Sequence, residues 1–119
     1  MQSLTSGTVR FPSMEADFGP SLTSQGYTGM LVVGVPRDGC GPLQPAAANV
    51  TQFVLLERGG NPICEFDEKV LRAEEAGYSA AIIYDTIDEG LIVMRGRQNV
   101  DIPSVFVTHS AGVILSQHA

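Results

Sequence analysis

Six residues whose types can do chemistry crowd one stretch of the sequence: Arg58, Gly59, Gly60, Cys64, Glu65 and Phe66 in "ERGGNPICEF". A glycine turn leading into a helix can cradle phosphate on its backbone N–H groups. This one matches neither G-x-G-x-x-G nor G-x-x-x-x-G-K-[ST], and Glu65, Asp67 and Glu68 put three carboxylates where a phosphate would sit. Cys64, just before a helix, could ionise to a nucleophile, but the same carboxylates oppose the thiolate and His109 would have to serve as its base. Arg58 ends an apolar run beside two glycines that bare backbone amides, which makes it a fork for a carboxylate; an internal ion pair with Glu57, Glu65 or Asp85 is the competing assignment. The set points to binding rather than turnover.

Other polar clusters are weaker. Thr108, His109 and Ser110 follow an apolar run as a helix cap does; there is no G-x-S-x-G, and a Ser-His-Asp set would have to draw on the chain's two histidines. Asp85, Asp88 and Glu89 lack the spacing of an EF-hand loop. Cys40, Cys64, His109 and His118 are too scattered for a zinc site, so neither metal nor other cofactor is expected. Cys40 and Cys64 can be two free structural thiols or one disulfide, and in the second case loop closure contributes about 3 kcal/mol. "NVT" at Asn49–Thr51 is an N-glycosylation sequon in a Pro/Ala-rich loop over 42–52.

These residues need a scaffold, and 119 residues with 44% hydrophobic and 17% charged side chains suffice for one compact domain. We take 1–8 as an N-terminal extension and 9–119 as that domain. Seven basic against thirteen acidic residues give a formal charge of −6, which repels phosphate backbones, so nucleic acid is not an expected partner. No apolar run approaches the roughly 20 residues needed to cross a bilayer, so this domain is expected to make no membrane contact itself. The N-terminus lacks the basic and apolar regions of a signal peptide, which leaves a cytosolic protein or a piece of a longer secretory chain.

Apolar runs at 29–35, 53–57, 80–85, 91–94 and 104–108 predict at least five strands. Phe66, Val70, Ala73 and Gly77 recur at helical spacing and predict a helix over 67–76, with Asp67 and Glu68 in its first turn and Gly77 as its C-terminal cap. Strand, helix and strand in that order predict a right-handed crossover with 53–57 parallel to 80–84. A second helix is expected near Ser110, capped by the Ser110 hydroxyl. The expected class is α/β and β-rich: an open barrel or sandwich of about seven strands with two or three flanking helices.

"DGC" at Asp38–Cys40, "FVLLERGG" leading to "CEFDEKVLRAEEAGYSAAIIYD", and "VDIPSVFVTHSAG" together resemble a protease-associated (PA) domain, whose hallmark is an R-G-x-C-x-F-x-x-K loop and helix. The resemblance runs from about Val9 to Gln117 and is nearest to the lumenal domain of PA-transmembrane-RING proteins, especially plant receptor homology region-transmembrane-RING (RMR) vacuolar sorting receptors. "ADFGPSL", "RDGCGPLQPAAANVTQ" and "AAIIYDTIDEGLIVM" are similar to stretches of those receptors. The resemblance implies a PA fold, no catalysis, and binding of sorting determinants of soluble cargo, often C-terminal peptides, in the lumen of the secretory pathway. It implies that Arg58, Gly59, Gly60, Cys64, Glu65 and Phe66 form the cargo loop and that Cys40 is bridged to Cys64. A transmembrane helix and a RING are then expected elsewhere in the full-length chain. Animal PA-transmembrane-RING ubiquitin ligases share "KVLRAEEAGYSAAI" and "DIPSVFV", so a substrate-recruiting ligase ectodomain is the alternative. One departure stands out: the family has a single residue between R-G and Cys, and this chain has four, Gly60 to Ile63.

Overall fold

The computed structural model describes residues 2–6, 9–22 and 28–119, with side chains described at 13–22 and 28–119. In chain order the elements are β1 (Gln2–Ser6), β2 (Val9–Glu15), β3 (Met30–Val33), β4 (Gln52–Glu57), α1 (Phe66–Glu75), β5 (Ala80–Tyr84), β6 (Ser104–Val107) and α2 (His109–Gln117). They form one mixed sheet in the order β1-β2-β6-β5-β4-β3. β3, β4, β5 and β6 run parallel, with Phe53 opposite Ala80 and Ala81 opposite Ser104. β2 returns antiparallel to β6, and β1 pairs with β2 as a hairpin.

A parallel block must be covered on both faces, which is why its strands read as unbroken apolar runs rather than alternating ones. On one face Val54, Leu56, Ala81, Ile83 and Phe106 pack under Val70 and Ala73 of α1. On the other, Phe53, Leu55, Ile82, Tyr84, Val105 and Val107 pack under Ala111 and Leu115 of α2. Gly112 lets α2 approach closely: a Cβ there would lie 2.3 Å from the Cβ of Tyr84.

The α/β, β-rich class and the parallel β4–β5 crossover stand as the sequence indicates, with six strands described. Leu91–Met94 is not among them. Both flanks of β5 are already taken by β4 and β6, so this run has no free edge beside it. It instead lies on the α1 face, where Leu91, Ile92 and the fully buried Met94 join the core and the Met94 carbonyl accepts the Asp17 N–H at 2.9 Å.

Gly77 ends α1 at φ 93°, and the N–H groups of Gly77 and Tyr78 return to the carbonyls of Glu74 and Ala73 at 3.0 and 3.1 Å, a Schellman closure. The cap of α2 is Thr108, not Ser110: Thr108 Oγ1 accepts the Ala111 N–H at 3.2 Å, while the Ser110 hydroxyl donates to Asp88. The cap lies two residues earlier than expected because Thr108 is still extended, as an N-cap must be.

Asp67 does more than favour a helix dipole. It is buried, and its carboxylate accepts the N–H groups of Arg97 and Gln98 at 2.8 and 2.9 Å, tying α1 to the chain ahead of β6. Burial pushes its pKa up, but the N–H groups of Arg97, Gln98 and Glu68 outweigh it and hold the carboxyl below 3.8. Asp67→Asn is therefore expected to cost about 1.5–3 kcal/mol at pH 7, the range for hydrogen bonds to a charged group. A carboxyl whose folded pKa is depressed contributes stability that is present above its unfolded value and lost as pH falls through the folded one. The gap between native and Asn variants in urea unfolding should thus shrink below about pH 3.8. A gap that stays constant down to pH 2 rules out the ionised carboxylate as its source.

Candidate functional site

The sequence-identified loop leaves the C-terminal end of β4. Pairing continues one residue beyond the strand, the Arg58 N–H donating to the Tyr84 carbonyl at 3.0 Å. The chain then turns away through Gly59 and Gly60, at φ 87° and 130°. At Gly60 a Cβ would lie 2.6 Å from Cys40 Sγ, so both conformation and space demand glycine. The four residues Gly60 to Ile63 fold back on themselves, closed by an antiparallel bridge between Gly60 and Ile63. They make a tight turn rather than a widened cavity, and Ile63 is 77% exposed on it.

Two fastenings hold this turn. Cys64 is joined to Cys40 by a disulfide, with Cα atoms 5.6 Å apart, as the resemblance implied. That pairing removes the Cys64 thiolate as a nucleophile. The second fastening is Lys69, fully buried in α1. Its ammonium donates to the Gly59 carbonyl at 2.6 Å and to the Asp38 carbonyl, stitching together the two loops that carry the cysteines. Burial pushes the amine's pKa down, opposed by the charges of Asp38, Glu57 and Glu68.

Arg58 is not a free fork. Its Nη1 lies 3.2 Å from Asp85 Oδ2 and 3.3 Å from Glu89 Oε2. The internal ion pair weighed from the sequence is present with Asp85, and Glu89 adds a second carboxylate. The guanidinium carbon also sits 5.6 Å from the centre of Phe66 and 5.9 Å from that of Phe106, and these two rings meet edge to face at 6.1 Å. Each such cation–π contact contributes about 0.5–1 kcal/mol at a partly exposed site. The hydrogen bond that a protonated Glu89 carboxyl donates to Asp85 raises the Glu89 pKa, with Arg58 pulling it down. Phe66 is half-buried, whereas Glu65 is exposed at the α1 N-cap, without a side-chain hydrogen bond to the helix.

The structure thus gathers Arg58, Gly59, Gly60, Cys64, Glu65 and Phe66 around one end of the sheet, and adds Lys69, Asp85 and Glu89, which sequence reasoning left out of the site. Lys69 had a signal: it lies three residues after Phe66, inside the apolar stripe, where a solvated lysine does not belong. Ser110 Oγ bonds to Asp88, and His109 Nδ1 faces the Asp85 carbonyl at 3.0 Å, so serine and histidine are engaged with separate partners. Asn49 is exposed at φ 62°, three residues before β4 begins, at the opposite end of the sheet from the loop.

Residues 27–115 match the PA domain family. Among curated proteins, the chain is 41% identical over 124 residues to receptor homology region, transmembrane domain- and RING domain-containing protein 1 of Arabidopsis thaliana, covering 98% of this chain and 39% of that protein. It is 41% identical to protein 2 of the same series, covering 94% of this chain and 26% of that one. It is 34% identical to E3 ubiquitin-protein ligase RNF13 of Gallus gallus, covering 93% of this chain and 31% of that protein. The chain spans at most about two fifths of the length of these relatives. Among solved structures, a zinc aminopeptidase from Bacillus subtilis superposes with a TM-score of 0.76 at 24% identity, over 98% of this chain and 28% of that one, which is a likeness of fold.

Proposed function

Because this chain belongs to the PA domain family, we propose that it is a non-catalytic binding module on the lumenal side of the secretory system, holding a peptide segment of a soluble cargo protein at the Cys40–Cys64 loop. The observation that carries this reading is the fastening itself: a disulfide and a buried ammonium fix a short exposed turn whose own side chains, Ile63 and Glu65, do little for the core. A turn held rigid in advance loses less entropy on binding. The peptide's main chain or terminal carboxylate lies along the loop beside Arg58, displacing Glu89, the more exposed of its two carboxylate partners.

Calorimetric titration with decapeptides from vacuolar cargo C-termini, with free and amidated ends, tests it. Micromolar binding, about −8 kcal/mol, is expected. Arg58→Ala should weaken it by about 1.5–3 kcal/mol. Equal affinity for native and Arg58→Ala domains removes the loop from the contact. A second reading, recruitment of a folded substrate by a ligase ectodomain, is favoured by the RNF13 relatives, 34% and 36% identical. It predicts that such peptides fail to compete with a partner captured by the full-length protein. In either setting the exposed sequon supports a glycan on Asn49, which an endoglycosidase mobility shift that Asn49→Gln abolishes would register.

A further inference from the structure

On the opposite face of the sheet from Arg58, at the same C-terminal rim of the parallel strands, lies a cavity of about 430 Å³. The carboxyl ends of parallel strands are where open α/β sheets hold ligands, and this volume falls within the roughly 300–1,000 Å³ of small-molecule sites. Glu57 and Tyr84 supply its floor from β4 and β5, and Arg37 overhangs it from the segment after β3. His109, Val113 and Ser116 form its wall, at i, i+4 and i+7 on one face of α2.

The polar groups are chained. Arg37 Nη1 donates to the Tyr84 hydroxyl at 3.3 Å, and that hydroxyl donates to Glu57 Oε2 at 3.3 Å. Among the described residues this is the hydrogen bond Arg37 makes, so most of its five N–H donors remain open toward solvent and the cavity. Arg58, one residue beyond Glu57, is the contrast, already facing two carboxylates. A fork with open donors takes a carboxylate in bidentate fashion. Glu57, beside it, keeps acceptor capacity for an N–H after taking the Tyr84 hydroxyl on Oε2, and Val113 with the Tyr84 ring offers an apolar wall.

We infer that this cavity binds a carboxylate flanked by an N–H donor and a modest apolar side chain, the chemistry shared by a free amino acid and a peptide C-terminus, with Arg37 as its anion contact. The site goes beyond the loop reading and does not depend on it.

The test is NMR titration of the ¹⁵N-labelled domain at pH 7 with leucine, N-acetyl-leucine and N-acetyl-leucinamide. Either acid should shift the amides of Arg37, Glu57, Tyr84 and Val113 saturably, and the amide-capped compound should not. Tighter leucine binding identifies a free amino acid, through its ammonium on Glu57; N-acetyl-leucine binding as well or better identifies a peptide terminus. Arg37→Gln, at an exposed position, should weaken binding by about tenfold or more. Arg58→Ala should leave it unchanged, which separates this site from the loop. Absent saturation by both acids, equal shifts from N-acetyl-leucinamide, or unaltered binding by Arg37→Gln overturns the inference.

Discussion

Lys69→Met is expected to destabilise the domain by about 3 kcal/mol, although it replaces a buried charge with an apolar chain of similar length. Burying an ammonium is costly, and exchanging a buried ion pair for apolar residues is often neutral or better. That outcome requires both partners to be replaced. Here the partners are the backbone carbonyls of Asp38 and Gly59, which no substitution removes. Methionine leaves both without a donor beneath the loop, at roughly 1–3 kcal/mol each, and the relief from removing the charge offsets part of that. The damage should be local as well as global, because both carbonyls sit in the cysteine loops. Guanidinium unfolding reads the first effect, and hydrogen exchange at 38–41 and 58–64 reads the second. A Lys69→Met domain as stable as the native one, with unchanged exchange there, would mean the ammonium holds nothing that methionine cannot.

The sequence was legible wherever one periodicity dominated. Unbroken apolar runs marked β4, β5 and β6 because a parallel block is dry on both faces. Residues 66–77 marked α1 through a stripe at helical spacing. It was illegible where tertiary context decided. "LIVM" at 91–94 has the composition of a strand, but β5, the strand it follows, is already flanked by β4 and β6. β1 and β2 were missed because "VRFPSME" mixes polar residues with Pro12, which suits a strand outside the parallel block and gives no clean alternation. For the site, residue types named the loop, yet the partner of Arg58 could not be chosen among Glu57, Glu65 and Asp85, and Glu89 was not among the candidates. Strand register chose among them: Glu57 pairs with Tyr84, so Arg58 and Asp85, each the next residue along, fall side by side, while the Glu57 side chain turns to the other face.

Removing the disulfide, as Cys40→Ala with Cys64→Ala or by reduction, is expected to cost about 3 kcal/mol, or roughly 10 °C in Tm for a domain this size. The bridge closes a loop across a sequence separation of 24, and most of its effect is the entropy it denies the unfolded chain. That part should be independent of Lys69. The native-state part should not be, because the ammonium grips the carbonyls of Asp38, two residues from one cysteine, and of Gly59, on the turn that leads to the other. With the bridge gone, the loops can move so that those carbonyls reach water, and Lys69→Met should then cost less than it does in the native domain. A double-mutant cycle should return a coupling of about 1 kcal/mol, within the range for residues sharing one network. Strict additivity would show that the two fastenings hold separate structures. The same variants bear on function: a loop released from its bridge must be ordered by the ligand, at about 0.5–1.5 kcal/mol for each side chain immobilised. Cargo-peptide affinity should therefore fall under conditions where the reduced domain is still folded. Unchanged affinity would place the peptide elsewhere on the molecule.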